Sequence, residues 1–270
     1  QLPPSILKNI EEKYGFNDPL HKQYADYLSG VLKGDLGPSF KYPNRTVNEI
    51  IKDSFPVSAI LGAVALSLAV SIGLILGVIS ALKQNQWQDH LAIILATLGF
   101  SVPSFVLAGL LQYVFSYKLG WVVPAMWGTW QQTILPAISL AALPTATITR
   151  LMRSNMLEVL QEDYIRTARA KGLRYRVIIY RHAIRNALMP IITYLGPMVA
   201  SIFTGSFVVE HIFAIPGLGR YFVNSVFNRD YTVIMGLTIF YSIFLMSMNL
   251  LVDLSYALID PRVKISGGKE

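Results

Sequence analysis

Charge is missing from five long stretches of this chain. Residues 54–82, 86–88 with 91–117, 119–149, 186–209 and 231–252 contain no Lys, Arg, Asp or Glu. The 39 charged residues are only 14% of the 270, against about 25% in a soluble domain. Spread evenly, they would interrupt every run after about seven residues. About 20 consecutive apolar residues suffice to cross a bilayer, so each window is a transmembrane segment by length. The same pattern excludes a water-soluble enzyme, a disordered chain and a nucleic-acid-binding domain, in spite of the net charge of +7. Without cysteine there is no disulfide, thiolate chemistry or Cys-based metal site.

The windows predict an all-α polytopic membrane protein with five spans in this chain: Phe55–Leu82, Leu91–Phe115, Gln132–Leu151, Ala187–Val209 and Tyr231–Leu258. Pro103, Pro136, Pro144, Pro190 and Pro197 fall within them. Membrane helices tolerate such kinks where neighbours satisfy the freed carbonyls.

Lys and Arg in short loops set orientation. Residues 150–185 carry nine basic residues against Glu158, Glu162 and Asp163, which is six of the net +7. That segment is placed in the cytoplasm, together with the 83–90 turn and the C-terminus. Residues 1–54 and loops 116–131 and 210–230 then lie outside. Trp121, Trp127, Trp130 and Tyr117 read as an outer aromatic belt, and Trp87 as an inner anchor. The chain opens with Gln1 and a polar outer segment, so a further helix is expected upstream.

Residues 1–54 read as an extracytoplasmic helical lid on a transmembrane domain, 55–270. Pro4 to Tyr14 is helix-like. Asp18-Pro19 caps a helix from Leu20 to Lys33 that Gly34 ends, with Leu20, Tyr24, Tyr27, Leu28, Val31 and Leu32 on one apolar face. Thr46 and Glu49 form a capping box before the first span.

The cytoplasmic loop, about 157–186, is more organised than orientation requires. Tyr164, Ile165, Ala168 and Gly172 share a face of a short helix, Arg166, Arg169 and Lys171 point elsewhere, and Gly172 can end it in the left-handed conformation. Small Ala168 and Ala170 would let a partner approach closely. Leu173 to Ala187 resumes an amphipathic helix. The residues alone leave three readings open: topogenic charge, a helix on anionic lipid, and a docking element for a cytoplasmic partner.

YIRTARAKGLRYRVIIYRHAIRNALMPIIT closely resembles the cytoplasmic loop of ABC-importer permeases in their peptide branch. The general pattern E-A-A-x-x-x-G is matched at Ala168 and Gly172, while Arg166 and Thr167 replace its first two places. GDLGPSFKY, SFPVSAILG, TGSFVVEHIFAIPGLGRYFVNSVFNRDY and VDLSYALIDPRVK extend the resemblance, toward the B subunit of oligopeptide permeases, over essentially the whole chain. The resemblance implies a type I importer permease fold with six spans in the intact protein. It implies that Tyr164, Ile165, Arg166, Thr167, Ala168, Arg169, Ala170, Lys171, Gly172 and Leu173 form a coupling helix against an ATPase. It also implies two ATPase subunits, a homologous second permease, an external peptide-binding protein and residence in the bacterial cytoplasmic membrane.

No stretch matches G-x-x-x-x-G-K-[ST], so ATP and magnesium are expected on partners, with no cofactor in this chain. For a gate or path, the sequence offers Asn249 and Asp253 within the last span, and Glu210 and His211 before the Pro216, Gly217, Gly219 turn. Ser101, Ser104, Asn186, Thr193 and Ser201 are polar groups able to meet a peptide backbone. Rival readings are a dipeptide or nickel permease of the same family, an ion-coupled secondary transporter and an intramembrane protease. The secondary transporter would use more than one midplane ionisable group. The protease would need a Ser–His pair, paired aspartates or H-E-x-x-H. His21, His90, His182 and His211 all lie outside the spans.

Overall fold

The computed structural model describes residues 18–123 and 126–259, with the side chains of 197, 200, 201, 204, 205, 252, 253 and 255–259 outside the description. The Pro4–Tyr14 helix therefore lies outside the described residues. Regular structure among the described residues is helical, apart from one isolated antiparallel bridge between Pro38 and Thr46.

Helix α1 (Leu20–Leu32) follows Pro19, which sits at the cap position without a side-chain cap. The Asp18 carboxylate pairs instead with Lys22 at 2.9 Å. The expected apolar face of α1 packs on the bundle only in part, with Val31 against the core around Val47 and Leu237. Leu20, Tyr24 and Leu32 are well exposed, and only Tyr27 and Val31 on that face are half-buried. Gly34 ends the turn at φ +80.

Helix α2 (Val47–Leu82) starts where the capping box predicts. Thr46 Oγ1 accepts from the Glu49 amide at 3.2 Å, and the Glu49 carboxylate accepts from the Thr46 amide at 3.0 Å. Its 36 residues run to about 54 Å and continue unbroken across 54/55, so that boundary is not a structural break.

The predicted second span is two helices, α3 (Trp87–Ser101) and α4 (Ser104–Leu111), the latter extended by the π-helical Gln112–Lys118. The two halves meet at 104°. The cause is local. Pro103 drives its predecessor out of helical geometry, and Val102 is extended at φ −95, ψ 117.

Helix α5 (Trp130–Val159) runs eight residues beyond the predicted Leu151, carrying Pro136 and Pro144 inside it. Next come α6 (Asp163–Ala170) and α7 (175–187), built from Tyr175–Val177, π-helical Ile178–Ala183 and Ile184–Ala187. Helix α8 (Met189–Ile212) has Pro190 in its first turn, where the missing N–H costs nothing, so Pro190 is no internal kink. Helices α9 (Leu218–Asn228) and α10 (Tyr231–Ile259) complete the described residues. Helices α2, α5 and the Tyr231–Leu251 part of α10 are each long and apolar enough to cross a membrane, and α3 with α4 passes jointly.

Helices α2 and α5 form the spine. A stripe of small residues on α2 lets them close: a Cβ on Gly73 would lie 2.7 Å from that of Ile148, and one on Gly77 2.5 Å from that of Met152. In a bilayer, such close approach supplies the packing that water exclusion cannot. A second core at the end where α2 begins gathers Val47, Ile50, Phe203, Leu218, Leu237 and Tyr241. There α2, α8 and α10 meet through Phe55, Phe203, Phe240 and Phe244 ring contacts.

Candidate functional site

The predicted residues fall at the two ends of α8, and the structure does not bring them into one site. On the N-terminal side of α8, α6 hangs between α5 and α7. Ile165 is fully buried and Ala168 nearly so, in the core that also holds Met156, Ile178, Ile179 and Ala183. Small Ala168 thus serves the chain's own packing, not a partner's approach. The face turned outward carries Arg166, Thr167, Arg169, Ala170, Lys171 and Gly172.

Gly172 closes the helix at φ +71, a conformation that costs an L side chain about 1–2 kcal/mol. Its amide donates to the Arg169 carbonyl at 2.9 Å, and that of Leu173 to the Ala168 carbonyl at 3.3 Å. The half-exposed Tyr164 accepts at its hydroxyl from Asn186 Nδ2 at 2.9 Å, which ties α6 to α7. Asn186 also donates to the His182 carbonyl, so it is engaged inside the loop rather than offered to a peptide. The Arg166–Asp163 pair is fully surface and contributes little.

Directly behind this element lies a cluster that the charge count did not reveal. Asp89, 1% exposed, accepts from Arg153 Nε at 2.7 Å and Nη2 at 2.8 Å. It also accepts from the Ser80 hydroxyl and from the Asn85 amide. One carboxylate therefore joins the end of α2, the turn, the start of α3 and the last third of α5. Asn155 Nδ2 adds a bond to the Ala187 carbonyl at 3.2 Å. Arg153 reads in sequence as one more topogenic charge. The signal that it is more is Asp89, the one acidic residue between 54 and 157.

At the C-terminal end of α8, Glu210 is completely buried. Its Oε2 accepts from the Gly219 amide at 2.8 Å, and Ser58 on α2 accepts from the Leu218 amide at 2.9 Å. Both acceptors meet the N-terminus of α9, where unpaired amides and the helix dipole favour negative charge. A Cβ on Gly217 would collide with the Glu210 carboxylate and the Ser58 hydroxyl, and one on Gly219 would lie 2.5 Å from the Phe207 Cα and 3.0 Å from Glu210 Oε2. His211 and Pro216 are exposed. The turn itself is fixed by the Ile215 amide donating to the Glu210 carbonyl at 2.8 Å.

Nearby, buried Asp230 accepts from the Ser39 hydroxyl and from the Phe40 and Lys41 amides, pinning the connector before α2 to the start of α10. Tyr42 in that connector stacks edge-on with Tyr221 at 5.3 Å. Burial, then the neighbouring Tyr221, pushes its phenol pKa up.

The remaining predicted residues do not converge. Asn249 is exposed on α10, and the side chains of Asp253 and Ser201 lie outside the description. Thr193 bonds back to the Met189 carbonyl of its own helix. Ser101 and Ser104 flank the α3–α4 break. Trp87, Trp121, Trp130 and Tyr117 are well exposed, while Trp127 packs on the core. Among the described residues no three His, Asp or Glu side chains converge as a metal site would require.

Residues 73–265 match the model of the binding-protein-dependent transport system inner membrane component. The dipeptide transport system permease protein DppB of Bacillus subtilis is 52% identical over 97% of this chain and 85% of its own length. The oligopeptide transport system permease protein OppB of Salmonella typhimurium is 48% identical over 97% of this chain and 87% of its own. In fold, the chain is similar to one from the MetNI methionine ABC transporter in an inward-facing form: TM-score 0.67, 15% identity, 78% of this chain and 96% of that one. A chain of an amino acid ABC transporter aligns at TM-score 0.57 and 18% identity, covering 80% of this chain and 99% of that one. The all-α bundle, the coupling-loop pattern and these relatives agree: the chain belongs to the family of binding-protein-dependent transport system inner membrane components, the non-catalytic permease subunits of ABC importers.

Proposed function

We propose that this chain forms half of the path for short peptides through a bacterial cytoplasmic membrane, with a homologous permease forming the other half. One of two ATPase subunits docks on the outward face of α6, the other on the second permease, and an external binding protein delivers peptide to the opposite end, near Glu210 and the connector that Asp230 holds. Residues 18–46 cover part of that outer end. The observation that carries this reading is the division of α6. Ile165 and Ala168 root it in the bundle, while Arg166, Thr167, Arg169 and Lys171 project from it with no core role. A push on the exposed face is then passed to α5 and α7 rather than absorbed by a loose loop. Similarity to both dipeptide and oligopeptide systems supports peptide cargo without fixing its length.

The test is uptake of a labelled dipeptide and a labelled pentapeptide by the reconstituted complex. ATP-dependent uptake is expected, and replacing Thr167 by Trp on the exposed face should uncouple hydrolysis from it while the complex stays assembled. Uptake that persists without ATP and follows a proton or sodium gradient refutes the proposal and favours the ion-coupled reading.

A further inference from the structure

An open groove of about 350 Å³ runs between the inner half of α2 and the α7–α8 junction. Its walls are Ile75, Ile79, Tyr180, Ile184 and Leu188, and Met152 closes its floor. Ile75 and Tyr180 are 58% and 73% exposed, so the groove presents apolar surface outward at the end of the bundle that carries α6. Arg181 and Arg185 each follow a wall residue by one position, and Arg176 lies one turn earlier; all three are exposed. Residues 164–187 contain seven Lys and Arg and no Asp or Glu. Among the described residues no ion pair involves Arg176, Arg181 or Arg185.

We propose that this groove holds an anionic glycerophospholipid of the inner leaflet, its acyl chain along Ile75 and Ile79 and its phosphate between the arginines. Chain-length apolar surface joined to unpaired positive charge matches that ligand at both ends. A soluble ATPase surface fits less well, because the groove reaches into α2, a helix apolar enough to lie in hydrocarbon. Each basic residue near an anionic headgroup strengthens binding roughly fivefold. The site would tie the position of α7, and through the Tyr164–Asn186 bond that of α6, to the lipid around the transporter.

The intact complex, extracted and titrated with phosphatidylglycerol or phosphatidylcholine, is read by native mass spectrometry. Wild type should retain phosphatidylglycerol in preference. Arg181→Gln with Arg185→Gln should lower retention about 25-fold, and Ile79→Trp, which fills the groove, should lower it independently. A photo-crosslinking residue at 180 should capture lipid. Equal retention of the two lipids by wild type, undiminished retention in both variants, or capture of the second permease or an ATPase from position 180 would each overturn the proposal.

Discussion

Replacing Arg153 with Met tests the hidden joint among α2, α3 and α5 most directly. The Asp89 carboxylate has four donors, of which Arg153 supplies two at 2.7 and 2.8 Å and the only positive charge. At 1% exposure it cannot recover water when they go. Removing one partner of such a pair costs about 3–5 kcal/mol, since the remaining charge stays buried and uncompensated. For a chain of this size that is a fall in Tm of roughly 6–20 °C. Arg153→Lys keeps the charge but loses the planar two-point fit, so its fall should be smaller. The decisive comparison is Asp89→Asn with Arg153→Met. With the stranded charge gone, the double variant should recover at least half of the single-variant loss. Thermal unfolding of the purified complex in one detergent gives all four corners of the cycle. A fall below about 2 °C for Arg153→Met, or simple additivity in the double variant, would refute the view that Asp89 and Arg153 act as one buried unit.

Three further outcomes follow from the geometry. Gly77→Ala should cost about 1–3 kcal/mol by overpacking against Met152 and the Thr149 carbonyl, whereas Gly109→Ala, whose added Cβ would meet nothing within 4 Å, should leave thermal stability unchanged or slightly raised. Asp230→Ala removes the acceptor that holds Ser39, Phe40 and Lys41, so limited proteolysis of the purified protein should cut within 37–46 about tenfold faster, with Asp230→Asn intermediate. Gly172→Val should lose most peptide uptake and Gly172→Asn should keep most of it, because space is free there and only the left-handed backbone is demanding; equal uptake by the two would point to side-chain bulk instead.

What the sequence made legible is what hydrocarbon and local backbone chemistry dictate. The uncharged windows became α2, α5, α8 and α10 because a buried peptide backbone must pair within its own segment. The Thr46–Glu49 box and the glycine stops at Gly34 and Gly172 hold because each is decided within one turn. The second span misled because hydropathy is blind to direction. The run 91–117 is uniformly apolar, and only Pro103 and the extended Val102 turn it through 104°. The amphipathic face of α1 misled in the opposite way: periodicity shows that a face exists, not that this chain covers all of it.

The sites show the same division more sharply. Gly172 and the basic face of α6 are visible in sequence because they must be presented outward, where composition alone marks them. Asp89, Arg153, Gly73, Gly77 and Asp230 act through partners on other helices, and their meaning depends on pairings 64 residues apart for Asp89 with Arg153 and 191 apart for Asp230 with Ser39. Glu210 lies between these cases. Its position before an I-P-G-L-G turn is legible, yet the reason for the glycines is not: the Glu210 carboxylate and Ser58 from α2 fill the space beside Gly217, and the backbone of α8 at Phe207 fills the space beside Gly219. A permease that must move as packed pieces needs such joints between helices, and a joint between helices is the one feature that no single segment can announce.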